Sequence, residues 1–203
     1  MEPQAAVAQS EDRLLTIPNI FTLVRLACVP VFLYLLLGDA HQRWYEAGLL
    51  LAVLGATDWV DGYLARHLHQ VSTLGKVLDP VADRVLLICG IGGILYVGAA
   101  PRWFCIVVLA REILVAGATL VLAALGARRI DVTWFGKAGT FGMMVAFPLF
   151  LIGNSTASWH HLASQLAWLA AIPGLAFSLY SLVLYVPLAL KALAEGRAAK
   201  VAA

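Results

Sequence analysis

Residues 58–83 read DWVDGYLARHLHQVSTLGKVLDPVAD. Four aspartates, Asp58, Asp61, Asp79 and Asp83, stand here at the facing ends of two long apolar runs, 44–67 and 76–98. An ionisable residue inside a membrane span costs about 2.5–3.5 kcal/mol on insertion scales, so acids in such places point to function. Asp58 and Asp61 are spaced i, i+3, and Gly62, Ala65 and Arg66 continue the same helical face. Gly75, Asp79 and Asp83 recur every four residues and form a second stripe on the next run. The link between the runs is short, which predicts two antiparallel helices with their acid stripes facing each other. Four carboxylates so placed would neutralise through raised pKa values unless a cation compensates them. No His or Cys joins them, and an all-oxygen set suits hard divalent cations, Mg²⁺ first. Gly62, Ala65 and Gly75 leave a hole beside the acids, and Arg66 offers a bidentate phosphate donor at its rim. Cations, an arginine and a cavity together point to a phosphate-containing substrate. The competing reading pairs the acids with Arg66, Lys76 and Arg84 as buried ion pairs. Four acids in two stripes beside glycines exceed what pairing requires.

Working outward, the chain has 203 residues, 62% hydrophobic and only 13% charged. Its mean hydropathy is +0.86. A soluble domain carries about 25% charged residues, and this chain has too few polar side chains to cover a water-exposed surface. The same numbers exclude bulk disorder. A span takes about 20 residues, which leaves room for about six once loops are subtracted. The apolar stretches are continuous rather than alternating, which argues against a β-barrel. The net charge of +2 is too small to suggest a nucleic-acid partner. Cys28, Cys89 and Cys105 all fall in apolar stretches with no framework spacing, so they read as plain buried thiols.

The fold class expected is therefore all-α, a polytopic membrane protein with about six transmembrane helices. The apolar segments run at 17–38, 44–67, 76–98, 103–125, 134–153 and 165–190. A polar tail at 1–13 precedes one membrane domain at 14–193 and a tail at 194–203 follows; the chain after Lys191 reads as a frayed helix end. No cleavable signal is apparent, since the first apolar run is long enough to stay as a span. Glycines inside the spans (Gly48, Gly55, Gly92, Gly93, Gly117, Gly139, Gly142) predict close helix packing. Arg13, Arg66, Lys76, Arg128, Arg129, Lys137, Lys191, Arg197 and Lys200 share one side of such a six-span chain, and Arg43 and Arg102 lie on the other. That asymmetry puts both termini and the aspartates on the cytoplasmic side of the cell membrane.

The stretch 58–83 also fits D-x2-D-G-x2-A-R-x8-G-x3-D-x3-D at every fixed position: Asp58, Asp61, Gly62, Ala65, Arg66, Gly75, Asp79 and Asp83. It resembles the signature of the CDP-alcohol phosphatidyltransferases, above all the phosphatidylglycerophosphate synthases and the CMP-forming cardiolipin synthases. The opening TIPNIFTLVRL, with Asn19, Thr22 and Arg25, resembles theirs too. The resemblance implies a site for two Mg²⁺ or Mn²⁺ ions held by Asp58, Asp61, Asp79 and Asp83, with Asp83 also the general base. It implies contacts to the CDP-lipid from Gly62, Arg66 and Ser72, and from Asn19, Thr22 and Arg25 toward its diphosphate; Ala65 and Gly75 complete that side of the site. It further implies a homodimer, CDP-diacylglycerol as donor and an alcohol as acceptor. The acceptor expected is glycerol 3-phosphate, giving phosphatidylglycerophosphate; the alternative is phosphatidylglycerol, giving cardiolipin. A divalent-cation transporter is the rival class, but its acids would sit near the midplane rather than near one face. A non-catalytic scaffold leaves the acids unexplained.

A second set of cations is available for an anionic acceptor. Arg111, beside Glu112 inside the fourth segment, reads equally as an acceptor-binding group or as a helix–helix ion pair. Arg128, Arg129 and Lys137 cluster around the fourth loop, where they serve either positive-inside topology or an acceptor phosphate. His67, His69 and the pair His160-His161 read as interfacial residues.

Overall fold

In a computed structural model the protein is all-α. The structure describes residues 17–38, 40–68, 73–125 and 133–201, and the side chains of 23–38, 43–57, 85–122, 124–125 and 133–195. Among the described residues there are six helices: α1 (Ile17–Leu37), α2 (Ala40–Leu68), α3 (Thr73–Val97), α4 (Arg102–Ala124), α5 (Trp134–Gly153) and α6 (His160–Val201). They follow the six apolar segments in order. In hydrocarbon every backbone N–H and C=O must be satisfied within the segment, which leaves the helix as the solution for continuous apolar runs. Pro30, Pro148, Pro173 and Pro187 lie inside helices, as neighbouring helices allow.

Among the described residues, three helical stretches are long and apolar enough to cross a membrane: Arg102–Leu122, Trp134–Gly153 and His160–Glu195. Shorter apolar stretches at Leu23–Leu37 and Val85–Val97 lie in α1 and α3. The outer surface is apolar, with Leu114, Leu120, Leu169, Ile172 and Val183 all exposed. Apolar exposure on this scale belongs to a chain bathed in lipid.

The sixth helix departs from its sequence boundaries. It has 42 residues, beginning at His160 and continuing to Val201 through the region expected to fray. At 1.5 Å per residue it is about 63 Å long, twice the hydrocarbon thickness. The run KALAEGRAAK is rich in strong helix formers, and a single glycine costs it only about 1 kcal/mol.

The helices are tied together at one end. Gly98 adopts φ 74° and closes α3, its N–H donating to the Ile94 carbonyl at 3.0 Å. Asn154, at the end of α5, donates from Nδ2 to the Ala99 carbonyl at 3.0 Å. The turns 98–101 and 153–159 therefore share one end of the bundle. At the start of α2, Trp44 Nε1 donates to the Leu36 carbonyl of α1 at 3.2 Å. The core fills this half, with the Phe104 ring set at a tilt or edge-on to Phe147, Phe150 and Trp168 at centroid distances of 5.5, 5.6 and 6.5 Å.

Helix α1 packs against both α2 and α3, α5 against α2 and α6, and α4 against α3 and α6. Glycines make the tightest of these contacts: a Cβ on Gly139 would lie 2.7 Å from the Ser178 backbone, and one on Gly142 2.7 Å from the Gly174 Cα. Gly48, Gly55 and Gly93 also pack closely, but Gly92 and Gly117 face open space and do not serve helix packing among the described residues.

Candidate active site

The helices enclose a cavity of about 240 Å³, and every one of them contributes to its wall. Among the described residues its lining is apolar except for four side chains: Arg25 of α1, Glu112 of α4, Thr140 of α5 and Ser178 of α6. The chain direction of each helix sorts the wall into two ends. Leu51, Ile94, Val108, Phe147 and Pro148 lie toward the turns 98–101 and 153–159. Arg25, Gly55, Leu86, Glu112, Thr140 and Ser178 lie toward the other end. The cavity thus has a greasy inner part and a polar mouth.

Gly55 and Leu86–Leu87 locate the aspartates relative to that mouth. Asp58 follows Gly55 by one turn of α2, and Asp61 by nearly two. Asp83 precedes Leu86–Leu87 by one turn of α3, and Asp79 by two. The backbone therefore carries both acid-bearing stretches past the polar end of the cavity. The two helices face each other across this space, with α1 packed against both. Gly62, Ala65 and Arg66 continue α2, and Gly75 lies in the first turn of α3. The side chains of all these residues lie outside the described set, and Ser72, Arg128 and Arg129 lie outside it altogether.

Asn19, Thr22 and Arg25 sit at i, i+3 and i+6 on α1. Of the three, Arg25 has a described side chain: it is 6% exposed and borders the cavity. An arginine held at this depth against an apolar wall is expensive unless it serves an anion or a carboxylate.

Arg111 reads from the sequence as an acceptor contact or as a helix–helix ion pair. It is buried, and it is its neighbour Glu112 that reaches the cavity wall. The Arg111 guanidinium bonds the Glu112 carboxylate and donates to Ser181 Oγ of α6 at 3.1 Å. Ser181 Oγ in turn donates to the Ser178 carbonyl at 2.7 Å. Arg111 Nε has no partner among the described residues. Lys137 is exposed in the first turn of α5, three residues before Thr140. Thr140 and Ser178 escaped the sequence reading. The i, i+3 spacing of Ser178 and Ser181 in an otherwise apolar helix was the available signal.

A family model for CDP-alcohol phosphatidyltransferase matches residues 15–190. The chain is 38% identical over 181 residues to a putative cardiolipin synthase of Mycobacterium tuberculosis, covering 87% of this chain and 83% of that one. It is 39% identical over 180 residues to the CMP-forming cardiolipin synthase of Streptomyces coelicolor, with 86% and 83% covered. A CDP-diacylglycerol–glycerol-3-phosphate 3-phosphatidyltransferase of Bacillus subtilis is 34% identical over 150 residues, with 68% and 77% covered.

Proposed function

The chain belongs to the CDP-alcohol phosphatidyltransferase family, and from that premise we propose that it moves a phosphatidyl group from CDP-diacylglycerol to an alcohol, releasing CMP. The observation that carries the reading is the passage of the two aspartate-bearing stretches of α2 and α3 past the polar mouth of an intramembrane cavity. A lipid-linked substrate needs an apolar wall for its chains and a polar end for its phosphates, and this cavity has both.

The donor set fits two divalent cations. Asp58, Asp61, Asp79 and Asp83 are all hard oxygen donors on two facing helices, suited to Mg²⁺ or Mn²⁺ and unsuited to softer metals. Such ions, when bound, neutralise charge on the diphosphate and on departing CMP. The rest of the chemistry falls to the protein. Asp83 takes the proton of the acceptor hydroxyl as its oxygen attacks the lipid-side phosphorus in line. The phosphorus–oxygen bond to CMP breaks, and CMP leaves with the electron pair. Arg25, Asn19, Thr22, Gly62, Ala65, Arg66, Ser72 and Gly75 hold the CDP-lipid. Lys137, with Arg128 and Arg129, attracts the acceptor phosphate.

For the acceptor, identities of 38–39% to relatives named cardiolipin synthases, against 31–34% to relatives named for glycerol 3-phosphate transfer or phosphatidylglycerophosphate synthesis, favour phosphatidylglycerol over the glycerol 3-phosphate expected from sequence. The Lys/Arg asymmetry supports a cytoplasmic site and cytoplasmic termini in the cell membrane. A homodimer is part of the same proposal and rests on family resemblance. Purified protein given radiolabelled CDP-diacylglycerol with each acceptor in turn should release CMP and form labelled cardiolipin or phosphatidylglycerophosphate. No CMP release with either acceptor would overturn the proposal.

A further inference from the structure

A second recess lies on the outside of the bundle. It has a volume of about 200 Å³ and is walled by Trp103 and Phe104 at the start of α4 and by a row on α6 from Trp168 to Leu179. Its described lining is wholly apolar, and it opens on the surface where Trp103, Ile172 and Leu179 are exposed. Both helices begin at the end that carries the turns 98–101 and 153–159, away from the aspartates, and the groove runs inward from there. At its outer end the Trp103 and Trp168 rings stack at 6.1 Å and 23°. Tryptophans gather where a membrane meets water, so this pair marks headgroup level.

The groove has the length of one leaflet. From Trp168 to Leu179 the rise along α6 is about 16 Å at 1.5 Å per residue, and half of a hydrocarbon core about 30 Å thick is about 15 Å. Water does not reach such a wall in a membrane, so the occupant is apolar and of acyl-chain length. Arg102 gives the groove a polar end. It opens α4 one residue before Trp103, is exposed, and its side chain makes no hydrogen bond or ion pair with any described residue. A guanidinium at headgroup level is a bidentate phosphate donor. Helix α4 also has room for a filler: 17% of its span is buried within the protein, against 50% of the α5 span.

We infer that this groove holds one anionic phospholipid of the leaflet opposite the aspartates, with an acyl chain along α6 and the headgroup phosphate on Arg102. Further in, Arg111 and Ser181 tie α4 to α6; the lipid fills the outer half of the same seam and braces α4 there. The site rests on the membrane placement of the chain and is independent of the phosphatidyltransfer reading.

Tryptophan fluorescence reads the site directly. Full-length protein is reconstituted in phosphatidylcholine vesicles carrying increasing fractions of phosphatidylserine brominated on its acyl chains, or of brominated phosphatidylcholine as the zwitterionic control. Phosphatidylserine is anionic but lacks the glycerol headgroup of the proposed acceptor. The quenching of Trp103 is the difference between each protein and its Trp103→Phe counterpart. Half-maximal quenching should need about fivefold less of the anionic lipid than of the zwitterionic one, the preference expected of one cation near a membrane surface. Arg102→Gln should abolish that preference and keep the quenching by brominated phosphatidylcholine. Ala176→Phe, at an exposed position within the groove, should weaken quenching by both lipids. Equal quenching by the two lipids in the wild-type protein, or a preference that survives Arg102→Gln, overturns the inference. So does a Trp103 shielded from both lipids, which would mark the groove as a contact between two copies of the chain.

Discussion

Gly142 of α5 and Gly174 of α6 meet backbone to backbone: a Cβ built on Gly142 would fall 2.7 Å from the Gly174 Cα and 3.1 Å from the Ala170 carbonyl oxygen. Neither neighbour is the tip of a flexible side chain, so the helices themselves must part to admit a methyl group. Gly142→Ala should therefore destabilise the bundle by about 1–3 kcal/mol, the usual cost of overpacking. Gly117 has nothing within 4 Å of its Cβ position, and Gly117→Ala should be neutral or stabilising by up to about 1 kcal/mol. Thermal unfolding of the two variants in detergent checks this; equal melting temperatures would contradict the packing role of Gly142.

Asp83→Asn should nearly abolish turnover. It leaves the side chain's shape intact but removes a base, a loss worth about 10²–10⁴-fold, and it weakens the cation site as well. Binding of the CDP-lipid, measured by equilibrium retention of labelled substrate, should survive in large part. A variant retaining more than half the wild-type rate would show that the proton leaves by another route.

Exhaustive chelation with EDTA should stop the reaction, and Mg²⁺ or Mn²⁺ should restore it. The reason is electrostatic: Asp58, Asp61, Asp79 and Asp83 cannot all remain ionised at membrane depth without a compensating charge. Full CMP release after chelation would remove the need for a metal.

Thr156→Cys, in a background lacking Cys28, Cys89 and Cys105, should react with a membrane-impermeant thiol reagent added outside cells. Thr156 is exposed in the 153–159 turn, which carries no Lys or Arg. Gln70→Cys, between Arg66 and Lys76, should react only after the membrane is opened. The opposite pattern would turn the aspartates away from the cytoplasm and from any nucleotide-linked substrate there.

The six helices and their order were legible in the sequence because hydropathy is a local property: a run of Leu, Val and Ala of membrane length has one low-energy backbone in lipid, whatever its neighbours. The aspartate pattern was legible for a related reason. Helical periodicity alone puts Asp58 with Asp61 and Asp79 with Asp83, and the short link brings the two pairs to one end. Which helices touch is not local. That α1 packs against both α2 and α3 while those two face each other across a cavity depends on shape matching among surfaces of equal greasiness, which hydropathy cannot rank. The same holds for Arg111 and Glu112. They are neighbours in sequence, yet on a helix successive side chains point about 100° apart, so the fold buries one against Ser181 and turns the other to the cavity wall. The chain alone grouped the aspartates on two helices; the packing of α4, α5 and α6 decided which of the other polar side chains line the cavity.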